Sequence, residues 1–224
     1  MNQHFLIMGT PHAPVQELII AAEQRGYPVI SAAAGDPQAA DFLQDGEAAA
    51  ATLPWRMGST LSARSLVASA QETARAHGGR LDTAVIVFTP PQENRGFHVI
   101  PPGDLDADVQ TFFAGTLFLV RELLAAFTAA GGGTITIILD EHNQGVLSPL
   151  GAGVLYGVQR LVEGLFHSYR EESVVIQGIR SSMDQPEALA RFFYDDYLAR
   201  ADKNEYRWVK FSGRSGLFGK KGVI

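Results

Sequence analysis

A dense run of ionisable and polar side chains, Asp140-Glu141-His142-Asn143, is the segment of this sequence best suited to chemistry. It follows the apolar, β-rich residues 134–139 and therefore comes at the carboxyl end of a predicted strand. Histidine titrates near neutral pH, so His142 with Asp140 or Glu141 forms a candidate acid–base pair or a pair of metal ligands. Sequence spacing places no second histidine to complete a metal set, and a solvated loop is the alternative interpretation.

Two further segments contain residue types that suit a ligand site. His12 lies in the turn of residues 9–14, which follows the first predicted strand and faces the same edge of a sheet. Residues 92–103, which include Arg95 and His98, form a long predicted loop that can cover this edge. The sequence contains no cysteine, which excludes disulfides, thiolate catalysis and cysteine-ligated zinc.

Composition indicates an ordinary globular protein. The 224 residues are 46% hydrophobic and 19% charged, and the net charge of -6 argues against nucleic acid as a partner. The basic residues at 207–221 are interpreted as a solvated tail. We expect a cytoplasmic protein without a signal peptide, and no apolar stretch is predicted to reach the roughly 18 residues of a membrane span.

The elements that must position these side chains alternate along the chain. Strands are predicted at residues 5–8, 27–31, 53–57, 83–88, 134–139, 173–179 and 206–211. Helices are predicted at residues 15–25, 39–44, 62–76, 106–130, 150–169 and 185–200. This order predicts α/β architecture, a single-domain Rossmann-type doubly wound parallel sheet with helices on both faces. Ligands of such sheets bind at the carboxyl ends of the strands.

Several segments, in this order, resemble the short-chain dehydrogenase/reductase family over nearly the whole chain. Residues 78–82, Gly-Gly-Arg-Leu-Asp, resemble the family's entry to its fourth strand, and residues 118–124 resemble its long interface helix. Residues 133–138 resemble the strand that normally ends in the catalytic serine, and residues 162–166 the helix after the catalytic lysine. The chain is identified as a divergent member of this family.

The resemblance implies an NAD(P) site whose glycine-rich turn is altered here. Gly9 matches the first of three glycines, but Ala13 and Val15 replace the others, and Thr10 and His12 belong to the same turn. Those glycines let the backbone approach the pyrophosphate. A valine there is expected to crowd a dinucleotide, although a turn that only links strand to helix is the simpler interpretation.

The remaining cofactor positions are also changed. Ser31 and the alanines after it replace the residue that binds the ribose, and Arg56 replaces the aspartate that contacts adenine. Thr89 lies in Phe88-Thr89-Pro90-Pro91, which replaces the family's Asn-Asn-Ala-Gly turn. The expected cofactor is therefore none, or NAD(P) held by Gly9, Thr10, His12, Arg56 and Thr89, with Arg56 favouring the extra phosphate of NADP.

The catalytic positions that the resemblance implies are replaced as well. Leu155 and Gln159 occupy the places of the tyrosine and lysine, which supply a proton to the developing alkoxide. A shift of one residue instead selects Tyr156 and Arg160, which are four residues apart and share a helix face. The serine position falls near Leu139 or Asp140.

Two other family features are missing from the sequence. Phe113 replaces an asparagine that anchors a water of the proton relay, and Ser181-Ser182 replaces the Pro-Gly after the sixth strand. The chain then enters the helix at residue 185 almost at once, which shortens the loop that closes over substrate.

Three hypotheses follow. The first is a non-catalytic binding or assembly subunit that forms a homodimer or homotetramer through helices 106–130 and 150–169, as the family does. The second is an atypical NAD(P)(H)-dependent oxidoreductase that uses Tyr156 and Arg160. The third is an enzyme of another class, in which Asp140 and His142 carry out acid–base chemistry.

Overall fold

The computed structural model describes residues 2–9, 13–34, 51–142, 144–200 and 205–213. Within them, seven parallel strands form one sheet in the order β3-β2-β1-β4-β5-β6-β7. The strands are β1 (Asn2–Gly9), β2 (Val29–Ala34), β3 (Ala51–Trp55), β4 (Gly79–Phe88), β5 (Gly133–Asp140), β6 (Val174–Ser181) and β7 (Trp208–Phe211). The predicted α/β class and doubly wound sheet are confirmed.

Helices cover both faces of this sheet. They are α1 (Ala13–Gln24), α2 (Thr60–Ala76), α3 (Pro102–Asp108), α4 (Gly115–Ala129), α5 (Pro149–Ser168) and α6 (Pro186–Arg191). Apolar residues of α2, α4 and α5 pack with one face of the sheet, and those of α1 and α6 pack with the other. Each face therefore has its own hydrophobic core.

The central strands β4 and β5 explain why the sheet is buried on both faces. Residues 84–88 and 135–139 are all buried, and they are mostly β-branched or otherwise apolar. Such continuous apolar runs are typical of parallel strands that helices cover on both sides. The strand order reverses between β1 and β4, which opens a crevice at the carboxyl ends of the strands.

The predicted helix 106–130 is longer and less regular than expected. It begins at Pro102, where a proline suits the first helical turn, and contains a π-helical turn over Val109–Ala114. Thr116 Oγ1 donates to the carbonyl of Phe112 at 2.7 Å within this wider turn. Against the sequence-based expectation, the continuous helix Pro102–Ala129 is long and apolar enough for a membrane span, since its best 18-residue window has a mean hydropathy of 1.6. In the fold it packs against α2.

The C-terminal elements also differ from the prediction. The expected helix 185–200 is divided into α6, a π-helical turn Phe192–Tyr197 and a 3-10 turn Leu198–Arg200. The last strand begins at Trp208, because Tyr206 has a left-handed backbone (φ 54°) that a strand cannot include. The predicted helix 39–44 lies outside the described residues.

Candidate functional site

The ends of three neighbouring strands bring the polar residues of this protein together. Phe88 pairs with Leu139, and Asp140 pairs with Ser181, so β4, β5 and β6 end at the same level. We call this edge the strand-end crevice and define it by residues 88–92, 139–142 and 180–183. The sequence-based prediction that residues 139–143 lie at a strand end is confirmed for those that the structure describes, and Asn143 lies outside them.

Asp140 and His142 form a hydrogen-bonded pair in the strand-end crevice. Asp140 Oδ1 lies 2.5 Å from His142 Nδ1, and the hydroxyl of Thr89 donates to Asp140 Oδ2 at 3.5 Å. Asp140 is 6% exposed, whereas the His142 side chain is 25% exposed. An ionised carboxylate only accepts hydrogen bonds, so Nδ1 of His142 carries the proton of this contact. A histidine that a carboxylate orients in this way has the arrangement of an acid–base couple.

Glu141 takes no part in this pair and instead forms a buried ion pair with Arg180. Arg180 Nε donates to Glu141 Oε1 at 2.7 Å, and the Glu141 amide donates to the Ser181 carbonyl at 2.7 Å. The Glu141 side chain is 3% exposed and that of Arg180 is 33% exposed. Alternate residues of a strand point to opposite faces, so Asp140 and Glu141 are directed to different sides of the sheet edge.

Arg180 is a site residue that sequence reasoning did not single out. The available signal was a charged side chain at the end of a strand, residues 174–181, that is otherwise mostly apolar. A charge in such a place requires a partner. The partner is found only from the register in which Arg180 pairs with Leu139, two residues before Glu141.

The predicted loop 92–103 packs beside this crevice. Its Arg95 donates to Glu93 and Asp104, with distances of 2.5 Å from Nη2 to Glu93 Oε2 and 2.9 Å from Nη1 to Asp104 Oδ2. The hydrogen bonds from Arg95 lower the pKa of Glu93 to about 2. A Cβ on Gly151 would lie 2.5 Å from the Pro91 carbonyl oxygen, so the start of α5 needs a glycine where it meets the segment that precedes this loop.

A search for metal ligands gives no further site. Among the described residues, no three histidine, aspartate or glutamate side chains converge in a way that could hold a metal ion. Asp140 and His142 remain a pair, which matches the arrangement of an acid–base couple better than that of a metal centre.

Comparison with known proteins now adds to this geometry. No known family model matches the chain, and no curated protein matches it. Among solved structures, the crystal structure of a short chain dehydrogenase from Mycobacterium smegmatis matches with a TM-score of 0.76. The two are 17% identical, over 94% of this chain and 92% of that one. The chain has the fold of a short-chain dehydrogenase. At this identity the likeness shows the fold alone.

In the short-chain dehydrogenase fold, the end of β1 is where the glycine-rich turn is expected. A Cβ on Gly9 would lie 2.7 Å from the Val87 carbonyl oxygen and 2.9 Å from Cγ2 of Val15. Val15 is fully buried, so its side chain fills the space between α1 and β1. The packing of β1 against β4 and α1 therefore accounts for the glycine at position 9. Thr10 and His12, the other predicted turn residues, lie outside the described residues.

The other predicted cofactor contacts have local partners. The Ser31 hydroxyl lies 2.9 Å from that of Thr52, within the sheet. Arg56 is exposed after β3, and its amide donates to Ser62 Oγ in the first turn of α2. Arg56 lines a shallow cavity of about 550 Å³ between this turn and α4. Thr89 lies in the strand-end crevice against Asp140.

The helix that carries the family's tyrosine and lysine is α5. Leu155, at the tyrosine position, is fully buried in the core, and Gln159 donates to Glu163 at 2.9 Å. Tyr156 is 46% exposed, and Arg160 donates to Glu163 at 2.5 Å. The hydrogen bond from Gln159, followed by that from Arg160, lowers the pKa of Glu163.

An apolar groove separates the outer surfaces of α4 and α5. Its volume is about 570 Å³. The apolar residues that line it include Leu117, Val120, Leu124, Leu161, Leu165 and Tyr169. This surface lies within the two helices that the sequence predicts to form an interface between subunits.

Proposed function

We propose that this chain is a divergent protein of the short-chain dehydrogenase fold that does not carry out dehydrogenase chemistry and acts as a binding or assembly subunit. The observation that carries the proposal is the packing of Val15 against Gly9. In the family, the glycine at the position of Val15 lets the helix pack closely on the strand, beside the turn that binds the pyrophosphate. A fully buried valine at this position supports the loss of the family's dinucleotide site.

The environment of α5 supports the same proposal. Dehydrogenase chemistry of this family needs a phenol that donates a proton and an ammonium group that lowers the pKa of the phenol. The side chain of Leu155 cannot donate, and Gln159 carries no charge and is hydrogen-bonded to Glu163. Both positions are therefore occupied by groups that suit packing.

Thermal unfolding with added nucleotides tests this proposal. A ligand that binds only the folded state stabilises it by RT ln(1 + [L]/Kd), which is about 2.7 kcal/mol at one hundred times the Kd. We expect NAD⁺, NADH, NADP⁺ and NADPH at roughly 1 mM to leave the melting temperature almost unchanged, because a Kd of about 1 mM or weaker gives at most about 0.4 kcal/mol of stabilisation at that concentration. A clear rise with any of them would contradict the proposal.

The alternative is an atypical NAD(P)(H)-dependent oxidoreductase that uses Tyr156 and Arg160. It is supported by the dehydrogenase fold and by the partial exposure of Tyr156. It requires nucleotide binding and a loss of turnover in Tyr156→Phe. Unchanged turnover in that variant would exclude Tyr156 as the acid.

For assembly, we propose a homodimer or homotetramer that buries the groove between α4 and α5. An apolar groove flanked by long helices suits a self-complementary contact, and a stable interface buries about 1,200–2,000 Å². Leu165→Arg is expected to give a monomer in size-exclusion chromatography with light scattering. Val146→Arg, at a side chain that is 82% exposed outside the groove, is the matched control. A wild-type monomer at micromolar concentration would contradict this assembly.

A second candidate function is acid–base chemistry by Asp140 and His142, which the 2.5 Å contact between them favours. The carboxylate fixes the neutral ring with its proton on Nδ1 and directs the basic Nε2 away from Asp140. Nitrogen-15 NMR of His142 is expected to show the Nδ1-protonated tautomer, and Asp140→Ala should shift the ring towards the Nε2-protonated form. The same tautomer in both proteins would mean that Asp140 does not orient the ring.

A further inference from the structure

The guanidinium of Arg180 is held on one side and open on the other. Its Nε donates to Glu141, while its two Nη atoms make no hydrogen bond or ion pair with any described residue. The side chain is one-third exposed in the strand-end crevice. An arginine held through Nε keeps the N–H groups of its two Nη atoms for a second acceptor.

The ion pair with Glu141 has no obvious role in stability. Burial of a charge pair costs desolvation energy that its mutual attraction often only balances, so apolar residues of similar size would serve the fold as well. The Glu141 carboxylate is almost fully buried and, among the described residues, accepts a hydrogen bond only from Arg180 Nε. This contact restrains the guanidinium at Nε and leaves both Nη atoms for a further partner.

We propose that Arg180 is the recognition residue of a binding site for a small anion, a molecule with a carboxylate or phosphate group. The Nη edge of arginine matches both groups in a bidentate geometry. This deepens the binding role proposed above by naming the class of ligand.

The proposed site differs from the site of a dinucleotide turn. The turn follows β1, whereas Arg180 lies at the end of β6, and β4 and β5 separate these two strands in the sheet. Binding of a small anion at Arg180 and binding of a dinucleotide beside Gly9 are therefore independent observations. Phosphate and malonate test the first, and NAD(P)(H) tests the second.

A titration monitored by NMR amide shifts tests the site in the wild-type protein. The probes are inorganic phosphate and malonate, which distinguish a phosphate ligand from a carboxylate ligand. We expect saturable shifts from at least one probe, concentrated at residues 139–142 and 180–183. Shifts that are absent, that do not saturate, or that cluster on another surface would overturn the proposal.

Variants then assign the effect to Arg180. Arg180→Gln is made together with Glu141→Gln, so that no buried carboxylate is left without its cation. The affinity for the probe should fall by at least about tenfold, which corresponds to the loss of one hydrogen bond from a charged donor. Arg75→Gln with Glu72→Gln removes an exposed ion pair on α2 and should leave the affinity unchanged. Equal affinity in the wild-type protein and the Arg180 double variant would exclude Arg180.

Discussion

The end of β1 and the ends of β5 and β6 lie along the same edge of the sheet but differ in the type of side chain that they carry. At the end of β1, the space beside Gly9 contains the fully buried Val15, and the contact is apolar. At the ends of β5 and β6, two buried carboxylates lie against a histidine and an arginine. The fold places both regions where ligands bind in doubly wound sheets. Among the described residues of the two regions, the ionisable side chains lie at the second one.

The polar region should be the more sensitive of the two to a single substitution. Arg180→Gln leaves Glu141 buried without its cation, and we expect a loss of about 3 kcal/mol, the low end for a buried pair because Arg180 is one-third exposed. Denaturant unfolding measures it. The double variant Arg180→Gln/Glu141→Gln should recover most of this loss in the free energy of unfolding. If Arg180→Gln alone were as stable as Arg75→Gln, the ion pair of Arg180 with Glu141 would not contribute to folding.

The apolar region should respond to a single added methyl group. In Gly9→Ala, the new Cβ meets the Val87 carbonyl and Val15, and overpacking of this kind costs about 1–3 kcal/mol. Gly153→Ala is the matched control, because its Cβ meets nothing within 4 Å on an exposed helix turn. The control should gain up to about 1 kcal/mol from helix propensity. Equal stabilities would contradict the packing explanation for Gly9.

The smallest effect concerns the loop beside the polar region. Hydrogen bonds from Arg95 hold the pKa of Glu93 at about 2, below its ordinary value of 4.5. A lowered carboxyl pKa stabilises the folded state above the ordinary value, and this contribution is lost as the pH falls from 4.5 through about 2. Arg95→Gln removes the guanidinium and should raise the Glu93 pKa towards its ordinary value, with the backbone N–H groups of residues 94 and 95 keeping part of the shift, as followed by NMR titration. A Glu93 pKa that stays near 2 in this variant would mean that a group other than the Arg95 side chain stabilises the Glu93 carboxylate.

Much of the fold followed from local patterns. The apolar runs at 83–88 and 134–139 predicted the two central strands, because continuous β-branched sequence is characteristic of doubly covered strands. Asp140 and His142 were found because they follow such a run. The predicted ends of helices and strands were less accurate than their centres. One miss is at Tyr206, where the backbone conformation of a single residue decides where the strand begins, and another is at Val109–Ala114, where the helix widens into a π-turn.

The rest of the site depends on contacts between distant parts of the chain. Glu141 and Arg180 are 39 residues apart, and only the register of β5 with β6 brings them together. Likewise, a valine in place of a glycine suggested crowding, but the contact of Val15 with Gly9 is a property of helix packing. The predictions of one domain, of a shortened substrate loop and of the roles of Tyr156 and Arg160 stay predictions.

The central claim is that this chain does not bind a nicotinamide dinucleotide. Its most direct test is isothermal titration of the wild-type protein with NAD⁺, NADH, NADP⁺ and NADPH. We predict no detectable heat up to about 1 mM for the wild-type protein, because the Val15 side chain fills the space beside Gly9. Binding of any of the four to the wild-type protein with a micromolar Kd would contradict it, and would favour the oxidoreductase that uses Tyr156 and Arg160.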